Sequence, residues 1–549
     1  MMKKWFSAVL LLVPFLHVPD RAFADRYPRN YSIDVLHYTF ELTLSDGTDE
    51  IKGTTTISIL FKKDSIRQVR LDFANKTAER NGKGMVVESV FLDGQAVAYT
   101  HAEDELLIQL PRSPRRDSIL VIVIHYHGIP ADGLRIGPTK YGVRSFFSEN
   151  WPNKTRHWLP CIDHPYDKAT SEFIVKAPSH YQVISNGLLL EESNIDSATR
   201  LTHWKQSVPI SCWLYVLGVA DFAVKYDGQV FGKSIQSWVY ARDRDAGFRD
   251  FPGPTKSVIE FFSDYIGPYV YEKVANVQAT SHGGMETASA IFYTENLISG
   301  KRTEGLRNVI IHELAHQWFG NAVTESTWDD AWLSEGFATY FTLLYREHSY
   351  GHDDYVTGLI NARKMVYAYD DKESPFPIVA DRTAELAPVT NVITYQKGAW
   401  FLHMLRDSIG SEDFQRGIRS YYSHFMNSNA STADFRREME AASGKDLGPF
   451  FDQWLYHSGN LELKGTWKYD PARKTVTIAL SQLPKDGFLF DVPVEIGICK
   501  DNMPVPAIFK FRMSAKTAAF QVQVDKKPER VVFDPRTVLL ARVQFSESK

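Results

Sequence analysis

The segment HELAHQWFGNAVTESTWDDAWLSEGFATY, residues 312–340, holds the most informative pattern in the chain. His312 and His316 are four residues apart, so on a helix both imidazoles lie on one face and can reach the same metal ion. Glu313 lies about 100° around that helix, where it can contact a metal-bound water without being a ligand. The pattern predicts a zinc site with a catalytic carboxylate beside it; the alternative is a chance match on an amphipathic helix.

A third protein ligand is needed, because two histidines do not make a catalytic zinc site. Glu335 follows His316 with 18 residues between them, enough for a turn and half of a second, antiparallel helix. Its neighbours, such as Trp332 and Phe337, are apolar, so an unpartnered carboxylate there would be costly. A salt bridge to a lysine or arginine is the alternative. We therefore predict one Zn2+ per chain, held by His312, His316 and Glu335.

The residues around this segment predict a mainly helical region with β-structure on either side. From Tyr31 to about Phe222, and again after Trp454, short stretches alternate between apolar and polar residues, which predicts antiparallel sheet. In the middle of the chain, apolar residues recur at helical spacing in the segments 254–266, 303–320, 329–350, 352–370, 391–410, 412–426 and 432–444.

A chain of 549 residues is too long for one hydrophobic core, so we predict a multidomain α+β fold. The changes in period place an N-terminal antiparallel β domain at residues 25–222. A mainly helical catalytic domain follows at residues 223–458. The strands after it predict a C-terminal β-sandwich at residues 459–549.

The bulk composition excludes several classes of protein. Apolar residues make up 44% and charged residues 23%, as in ordinary folded proteins, and the formal charge of −4 gives no indication of a nucleic-acid partner. Only three cysteines are present and none forms a CxxC pair, so the fold does not depend on a disulfide framework. No feature of the sequence predicts the oligomeric state.

Residues 1–24 have the features of a secretory signal peptide. Lys3 and Lys4 precede the apolar stretch 5–18, and Ala22 and Ala24 are small residues at the two positions that a signal peptidase reads. The alternative is an uncleaved N-terminal anchor. We expect export to the periplasm or the outside of the cell, with no stable membrane span after signal removal, since no other stretch approaches the roughly 20 apolar residues that a span needs.

Several motifs, in order along the chain, resemble the M1 family of zinc aminopeptidases, whose catalytic domain is thermolysin-like. The zinc segments HELAHQWFGN (312–321) and WLSEGFATY (332–340) carry the resemblance first. The others are RHWLPCIDHPYDKAT (156–170), SNG (185–187), VPISCWLYVLGVADF (208–222), GGMET (283–287), TYQKG (394–398) and PFFDQWLYHSG (449–459). Together they span roughly residues 31–460.

The resemblance implies a role for each site residue, with peptides that have a free N-terminus as substrates. Zinc would polarise the scissile carbonyl and lower the pKa of its bound water. Glu313 would act as general base and then general acid, and Tyr395 would donate a hydrogen bond to the oxyanion. Glu286 would pair with the substrate α-ammonium, and Gly283 and Gly284 would let the substrate backbone approach as an added strand.

Three departures from the family pattern stand out. Thr287 replaces the asparagine of the GxMEN motif, and Trp151 stands where a second amine-binding glutamine or glutamate is expected. Glu149 or Asn150 is a candidate replacement if the loop differs. The chain also ends after the predicted β-sandwich, where many members continue into a helical domain, so we expect a more open cleft or a cap from another subunit.

Three other functions compete with a secreted aminopeptidase. A thermolysin-like endopeptidase with the same zinc site would cleave N-acetylated peptides. A catalytically silent binding or adhesion module would be expected to have lost Glu313, a metal ligand or Tyr395, all of which are present. A bifunctional epoxide hydrolase is disfavoured by the missing helical domain. The preferred N-terminal residue and the physiological substrate are not encoded in a local motif.

Overall fold

The chain folds into a β-rich N-terminal part, a mainly helical middle and a further β-rich part. The structure is a computed structural model that describes residues 25–281, 283–373, 376–379, 390–499 and 506–548. The predicted signal peptide at residues 1–24 lies outside the described residues. Within the described part, no helix is both long and apolar enough to cross a membrane. The predicted domain limits near residues 222 and 458 stay predictions.

The N-terminal part is built around an eight-stranded sheet, with a four-stranded and a three-stranded sheet beside it. Residues alternate between buried and more exposed along the strand at residues 51–61 of this sheet, where Ile57, Ile59 and Phe61 are fully buried on one face. The strands are β1 Ile33–Thr43, β2 Ile51–Phe61, β3 Gln68–Asp72, β4 Gly84–Leu92, β5 Gln95–Ala96, β6 Tyr99–Ala102, β7 Glu105–Gln109, β8 Ser118–Ile129, β9 Leu134–Pro138, β10 Arg144–Ser148, β11 Ala169–Pro178, β12 Gln182–Ser185, β13 Leu188–Asn194, β14 Thr199–Ile210 and β15 Leu217–Ala220.

A five-stranded sheet follows in the sequence and begins the middle part. Its strands are β16 Phe222–Val230, β17 Lys233–Tyr240, β18 Lys273–Ala279, β19 Gly284–Met285 and β20 Ala290–Thr294. The order is β16-β17-β18-β20-β19, so the short strand β19 lies at the edge of the sheet and pairs antiparallel with β20. This places the GGMET segment at an edge to which an extended chain can add.

Helices make up the rest of the middle part and pack around buried aromatic residues such as Trp318, Trp332 and Trp400. A short parallel pair, β21 Val323–Glu325 and β22 Ser428–Ala430, lies among them. The helices are α1 Arg244–Asp250, α2 Pro252–Tyr265, α3 Glu304–His316, α4 Trp332–Tyr350, α5 His352–Asp370, α6 Gly398–Ile409, α7 Ser411–Phe425, α8 Thr432–Ser443 and α9 Gly448–Phe451, with π-helical turns at Ile393–Lys397 and Asp452–Tyr456.

The last part contains two sheets, of four and three strands. The first has the order β27-β24-β23-β29 and the second the order β26-β25-β28. Its strands are β23 Leu461–Asp470, β24 Thr475–Gln482, β25 Val492–Cys499, β26 Ala507–Met513, β27 Thr517–Gln523, β28 Arg530–Phe533 and β29 Ala541–Glu547.

Two local expectations from the sequence were wrong. The segment 303–320 was expected to be helical to Gly320, but α3 ends at His316. The chain turns there because Gly320 adopts a φ of 107°, which residues with side chains rarely adopt. Strand β29 was not anticipated; it is fixed by parallel pairing with β23, some 80 residues earlier.

Candidate active site

Helix α3 carries the two predicted zinc-ligating histidines. Thr303 caps its N-terminus by accepting a hydrogen bond from the backbone N–H of Leu306. One helical turn separates His312 from His316, and their Nε2 atoms are 3.1 Å apart. The expected convergence of the two imidazoles is therefore present in the fold.

The turn after α3 orients the ring of His316. Its Nδ1 atom is 3.2 Å from the carbonyl oxygen of Phe319 and 3.0 Å from Oγ of Ser334. Because a carbonyl oxygen can only accept, Nδ1 carries a proton, so Nε2 is the ring atom that would bind a metal ion. A Cβ atom at Gly320 would lie 2.2 Å from Oγ of Ser334, so this contact requires glycine there.

Glu335 lies in the first turn of α4, opposite the two histidines. Its Oε2 atom is 3.2 Å from Nε2 of His316 and 3.5 Å from Nε2 of His312. Burial alone raises the pKa of Glu335, but the two histidines more than offset this effect and hold the pKa at about 2. The carboxylate is therefore ionised over the physiological pH range.

These three side chains fit a zinc ion. Ligands about 2.0–2.2 Å from a tetrahedral zinc are separated from one another by about 3.3 Å, close to the distances found here. The Oε2 atom of Glu335 is buried and accepts no hydrogen bond from the described residues, although it faces both ring nitrogens. A cation between the three atoms satisfies this carboxylate and both nitrogen lone pairs.

Tyr395 reaches the same carboxylate from the far side. Its hydroxyl donates to Oε1 of Glu335 over 2.6 Å, and its ring lies nearly parallel to that of His312 at 6.0 Å. It belongs to the π-helical turn Ile393–Lys397, a local irregularity that recurs at functional sites. Burial, followed by the charge of Glu335, raises the pKa of Tyr395, so its hydroxyl stays protonated as a donor.

Glu286 and Glu313 converge beside His316. Their carboxylate oxygens and a His316 ring nitrogen all lie within 4.8 Å of one another, and both carboxylates are buried. Gly284 is the close neighbour of Glu313: a Cβ atom there would lie 2.0 Å from Oε1 of Glu313. Gly283, with a φ of 73°, forms the turn before this edge strand and has open space around it.

The concentration of carboxylates changes the proton affinities of the whole site. Burial, and then the charge of Glu286, raises the pKa of Glu313 well above its usual range, and burial also raises the pKa of Glu286. Burial lowers the pKa of His316, but Glu286 and Glu335 more than reverse this and raise it to about 10. A site with this charge favours cations such as a divalent metal ion.

Trp151 stands where a second amine-binding residue was expected, and its ring packs against other indoles. Its centroid is 4.8 Å from that of Trp213 and 4.7 Å from that of Trp328. Asn150 is buried and uses its amide to bind the Tyr215 carbonyl oxygen and the Trp158 ring N–H.

Glu149, the other candidate replacement, and Thr287, a further departure from the family pattern, also have partners inside the chain. Glu149 forms an ion pair with Arg135, which also donates to the Thr280 carbonyl oxygen just before the GGMET segment. The hydroxyl of Thr287 donates to the Ala290 carbonyl oxygen.

Several residues that sequence reasoning did not single out support the site. Gln317 and Asn321 donate side-chain hydrogen bonds to the Glu286 carbonyl oxygen, at 2.9 and 2.6 Å, which fixes the backbone that presents the Glu286 carboxylate. The sequence feature that could have indicated their role is their position within the HELAHQWFGN motif. Glu325 is also buried near the site, and burial raises its pKa to about 8. Glu325 belongs to no motif, so nothing in the sequence indicates that it lies near the site.

Two family profiles match parts of the chain. The family profile described as the peptidase M1 N-terminal domain matches residues 34–214, and that of the peptidase family M1 domain matches residues 253–454. Together the two matches cover more than half of the chain.

Among curated relatives, a glutamyl aminopeptidase of Rattus norvegicus is 26% identical over 494 residues, which is 84% of this chain and 52% of the relative. An aminopeptidase A of Gloydius brevicauda is 29% identical over 466 residues, 79% of this chain and 47% of the relative. The chain thus spans about half the length of the curated relatives it matches. A solved M1 zinc metallopeptidase from Deinococcus radiodurans is 26% identical, with a TM-score of 0.66 over 78% of this chain and 94% of that one.

Proposed function

The chain belongs to the peptidase M1 family, and from this membership we propose that it is a zinc-dependent aminopeptidase that removes N-terminal residues from peptides. The observation that carries the proposal is the convergence of Glu286 and Glu313 on His316, within 4.8 Å. An acid that can bind a free amine then lies directly beside the acid and metal that cleave the bond. The names of the relatives, all of them aminopeptidases or M1 metallopeptidases, support the same assignment.

The proposed chemistry assigns one task to each side chain. A zinc ion held by His312, His316 and Glu335 would supply Lewis acidity and would lower the pKa of a bound water toward about 7. Glu313, buried beside Glu286 and His316, would accept the proton of the attacking water and return it to the leaving amine nitrogen. Tyr395 keeps its proton and donates a hydrogen bond to the oxygen that gains charge on the substrate carbonyl.

The same geometry favours an exopeptidase over an endopeptidase. Asn321 holds the backbone of Glu286 just after edge strand β19. A substrate chain that adds to this edge would therefore place its amino end at the Glu286 carboxylate. An α-ammonium is stabilised there, whereas an N-acetyl group would leave a buried acid without its partner. With Trp151 in place of a second amine ligand, Glu286 carries most of this selection.

Two further parts of the proposal concern the rest of the chain. We propose that the seven strands from Leu461 to Glu547 form a β-sandwich behind the catalytic part. Residues 1–24 act as a cleaved signal peptide, so the mature enzyme is periplasmic or extracellular.

One experiment tests the function directly. Release of chromophore is measured from aminoacyl anilides, free and N-acetylated, with and without a chelator, for the wild type, Glu286→Ala and Glu313→Gln. We expect chelator-sensitive hydrolysis of the free substrates, loss of that activity in Glu313→Gln, and loss of discrimination against acetylated substrates in Glu286→Ala. Equal wild-type rates on acetylated and free substrates would favour the thermolysin-like endopeptidase, and no chelator-sensitive activity would exclude both enzymes.

A further inference from the structure

The first described residue, Asp25, is held by the catalytic part of the protein. Its backbone nitrogen lies 3.3 Å from Oδ2 of Asp329, and its own Oδ2 accepts a hydrogen bond from the backbone N–H of Trp328, also at 3.3 Å. The same oxygen lies 2.6 Å from Nε2 of His164. The backbone nitrogen and the side-chain carboxylate of Asp25 thus contact two successive residues of one turn, Asp329 and Trp328.

This anchoring is unusual for a residue next to a predicted cleavage point. Chain termini are mostly exposed and loosely held, yet Asp25 is only 7% exposed. Its Oδ1 accepts from the backbone N–H of Tyr27, and Arg29 donates to its Oδ2 over 2.8 Å. Burial raises the pKa of Asp25, but His164 and Arg29 more than offset this and hold it at about 2, so the carboxylate is ionised.

We propose that removal of residues 1–24 creates an α-ammonium group at Asp25 that binds the Asp329 carboxylate and locks the new N-terminus onto the turn before zinc-ligand helix α4. The inference rests on the proposed export. A signal peptidase adds water across the Ala24–Asp25 peptide bond: the hydroxyl goes to the Ala24 carbonyl carbon and the hydrogen to the Asp25 nitrogen. That nitrogen then takes up a proton from the solvent at neutral pH.

The new group suits this position better than the amide it replaces. An amide nitrogen offers one neutral N–H to Asp329, whereas the ammonium offers three donors and a positive charge. The Asp25 nitrogen already contacts the Asp329 carboxylate, and burial lowers the pKa of His164, which favours its neutral form. The ammonium therefore adds a positive charge to that of Arg29 beside the carboxylates of Asp25 and Asp329.

The position ties the N-terminus to the metal site. Trp328–Asp330 form a 3-10 turn, α4 begins at Trp332, and the zinc ligand Glu335 lies six residues after Asp329. The turn belongs to the connection between the two zinc-ligand helices, so its anchoring restricts how α4 can move relative to α3. Processing is thereby coupled to the stability of the site.

The test uses the full-length precursor, exported and processed by the host. One glycine is inserted between Ala24 and Asp25, which moves the ammonium one residue away from Asp329, and the insertion is made in both the wild-type and the Asp329→Asn backgrounds. Intact-mass measurement defines each N-terminus, and thermal unfolding is followed with zinc bound. Asp353→Asn, which removes an exposed acid in the first turn of α5, is the matched control background.

We expect the wild-type chain to begin at Asp25 and the insertion to lower its melting temperature by about 2 °C or more. In the Asp329→Asn background the insertion should have no further effect, while in Asp353→Asn it should act as in the wild type. If the insertion lowers the melting temperature equally in the wild-type and Asp329→Asn backgrounds, the proposed ion pair is contradicted. A mature chain that begins elsewhere would contradict the processing step alone, and loss of anilide hydrolysis in every variant would instead challenge the proposed function.

Discussion

Gly336 and Gly398 are in contact where α4 crosses the start of α6: a Cβ atom at Gly336 would lie 3.0 Å from the Cα atom of Gly398 and 3.1 Å from the Thr394 carbonyl oxygen. The absence of both side chains lets the two backbones approach this closely. As a result, the Tyr395 hydroxyl lies 2.6 Å from the Glu335 carboxylate. The distance between the proposed oxyanion donor and the metal ligand is therefore set by two glycines.

Gly336→Ala should separate these two groups. Alanine favours a helix over glycine by about 1 kcal/mol, so local propensity alone would stabilise α4. The backbone contact with Gly398 outweighs this gain, and we expect kcat to fall by about tenfold or more while one zinc per chain is retained. The variant is assayed by anilide hydrolysis and metal analysis.

Gly305→Ala is the matched control for Gly336→Ala. Gly305 lies in the first turn of α3, and no atom lies within 4 Å of a Cβ atom built there. It should keep full activity. Full activity in Gly336→Ala as well would show that the close helix contact does not position Tyr395.

Glu313→Gln should abolish turnover without releasing the metal. Glutamine keeps the size of the side chain but cannot accept the proton of the attacking water, and loss of a general base typically costs about 10²–10⁴-fold in rate. Zinc content should stay at one per chain, because Glu313 is not among the three ligands. Glu304→Gln, an exposed glutamate on the same helix, should behave as wild type. Loss of zinc together with activity would make Glu313 a ligand instead.

The clustering of the three proposed zinc ligands, His312, His316 and Glu335, could be predicted from the sequence because its geometry is mostly local. Two histidines four residues apart must share a helix face, and Glu335 follows in the first turn of the next α-helix, with 18 residues between it and His316. The contact between Tyr395 and Glu335 joins residues 60 positions apart and depends on the Gly336–Gly398 approach, so no period in the sequence indicates it.

Contacts between distant residues also limited what could be predicted about the strands and about Trp151. Strands such as β2 and β8 could be predicted from alternation, whereas β29 depends on its distant partner β23. Trp151 could be recognised as a departure from the family pattern. Its packing against Trp213 and Trp328 became visible only once the chain was folded.

Gly284→Ala should disturb the catalytic base without disturbing the fold. A methyl group there would lie 2.0 Å from Oε1 of Glu313 and would push the carboxylate out of place. We expect a large loss of kcat with a nearly unchanged melting temperature. Gly137→Ala, in strand β9 with no atom within 4 Å of its Cβ position, is the control. A wild-type rate in Gly284→Ala would mean that Glu313 can act from another rotamer.

Removal of zinc should destabilise the protein as well as inactivate it. A ligand that binds only the folded state stabilises it by about 2.7 kcal/mol when present at 100 times its dissociation constant. Chelator-treated protein should therefore unfold at a lower temperature and recover on addition of zinc. In His312→Ala the chelator should produce little change, because one of the three ligands is missing. An equal shift in both proteins would place the stabilising metal elsewhere.

Trp151→Gln restores the type of residue that the family pattern places before the RHWLPC segment, and it tests whether that position still serves the substrate amine. The Trp151 ring is packed between Trp213 and Trp328, so its loss should lower the melting temperature, as large-to-small changes at packed aromatic sites do. We expect the ratio of rates on free and N-acetylated anilides to stay unchanged, because Glu286 makes the selection. Trp151→Phe, which keeps part of the aromatic packing, should lose less stability with the same ratio. A ratio that rises in Trp151→Gln but not in Trp151→Phe would show that position 151 faces the amine and that tryptophan there weakens its recognition.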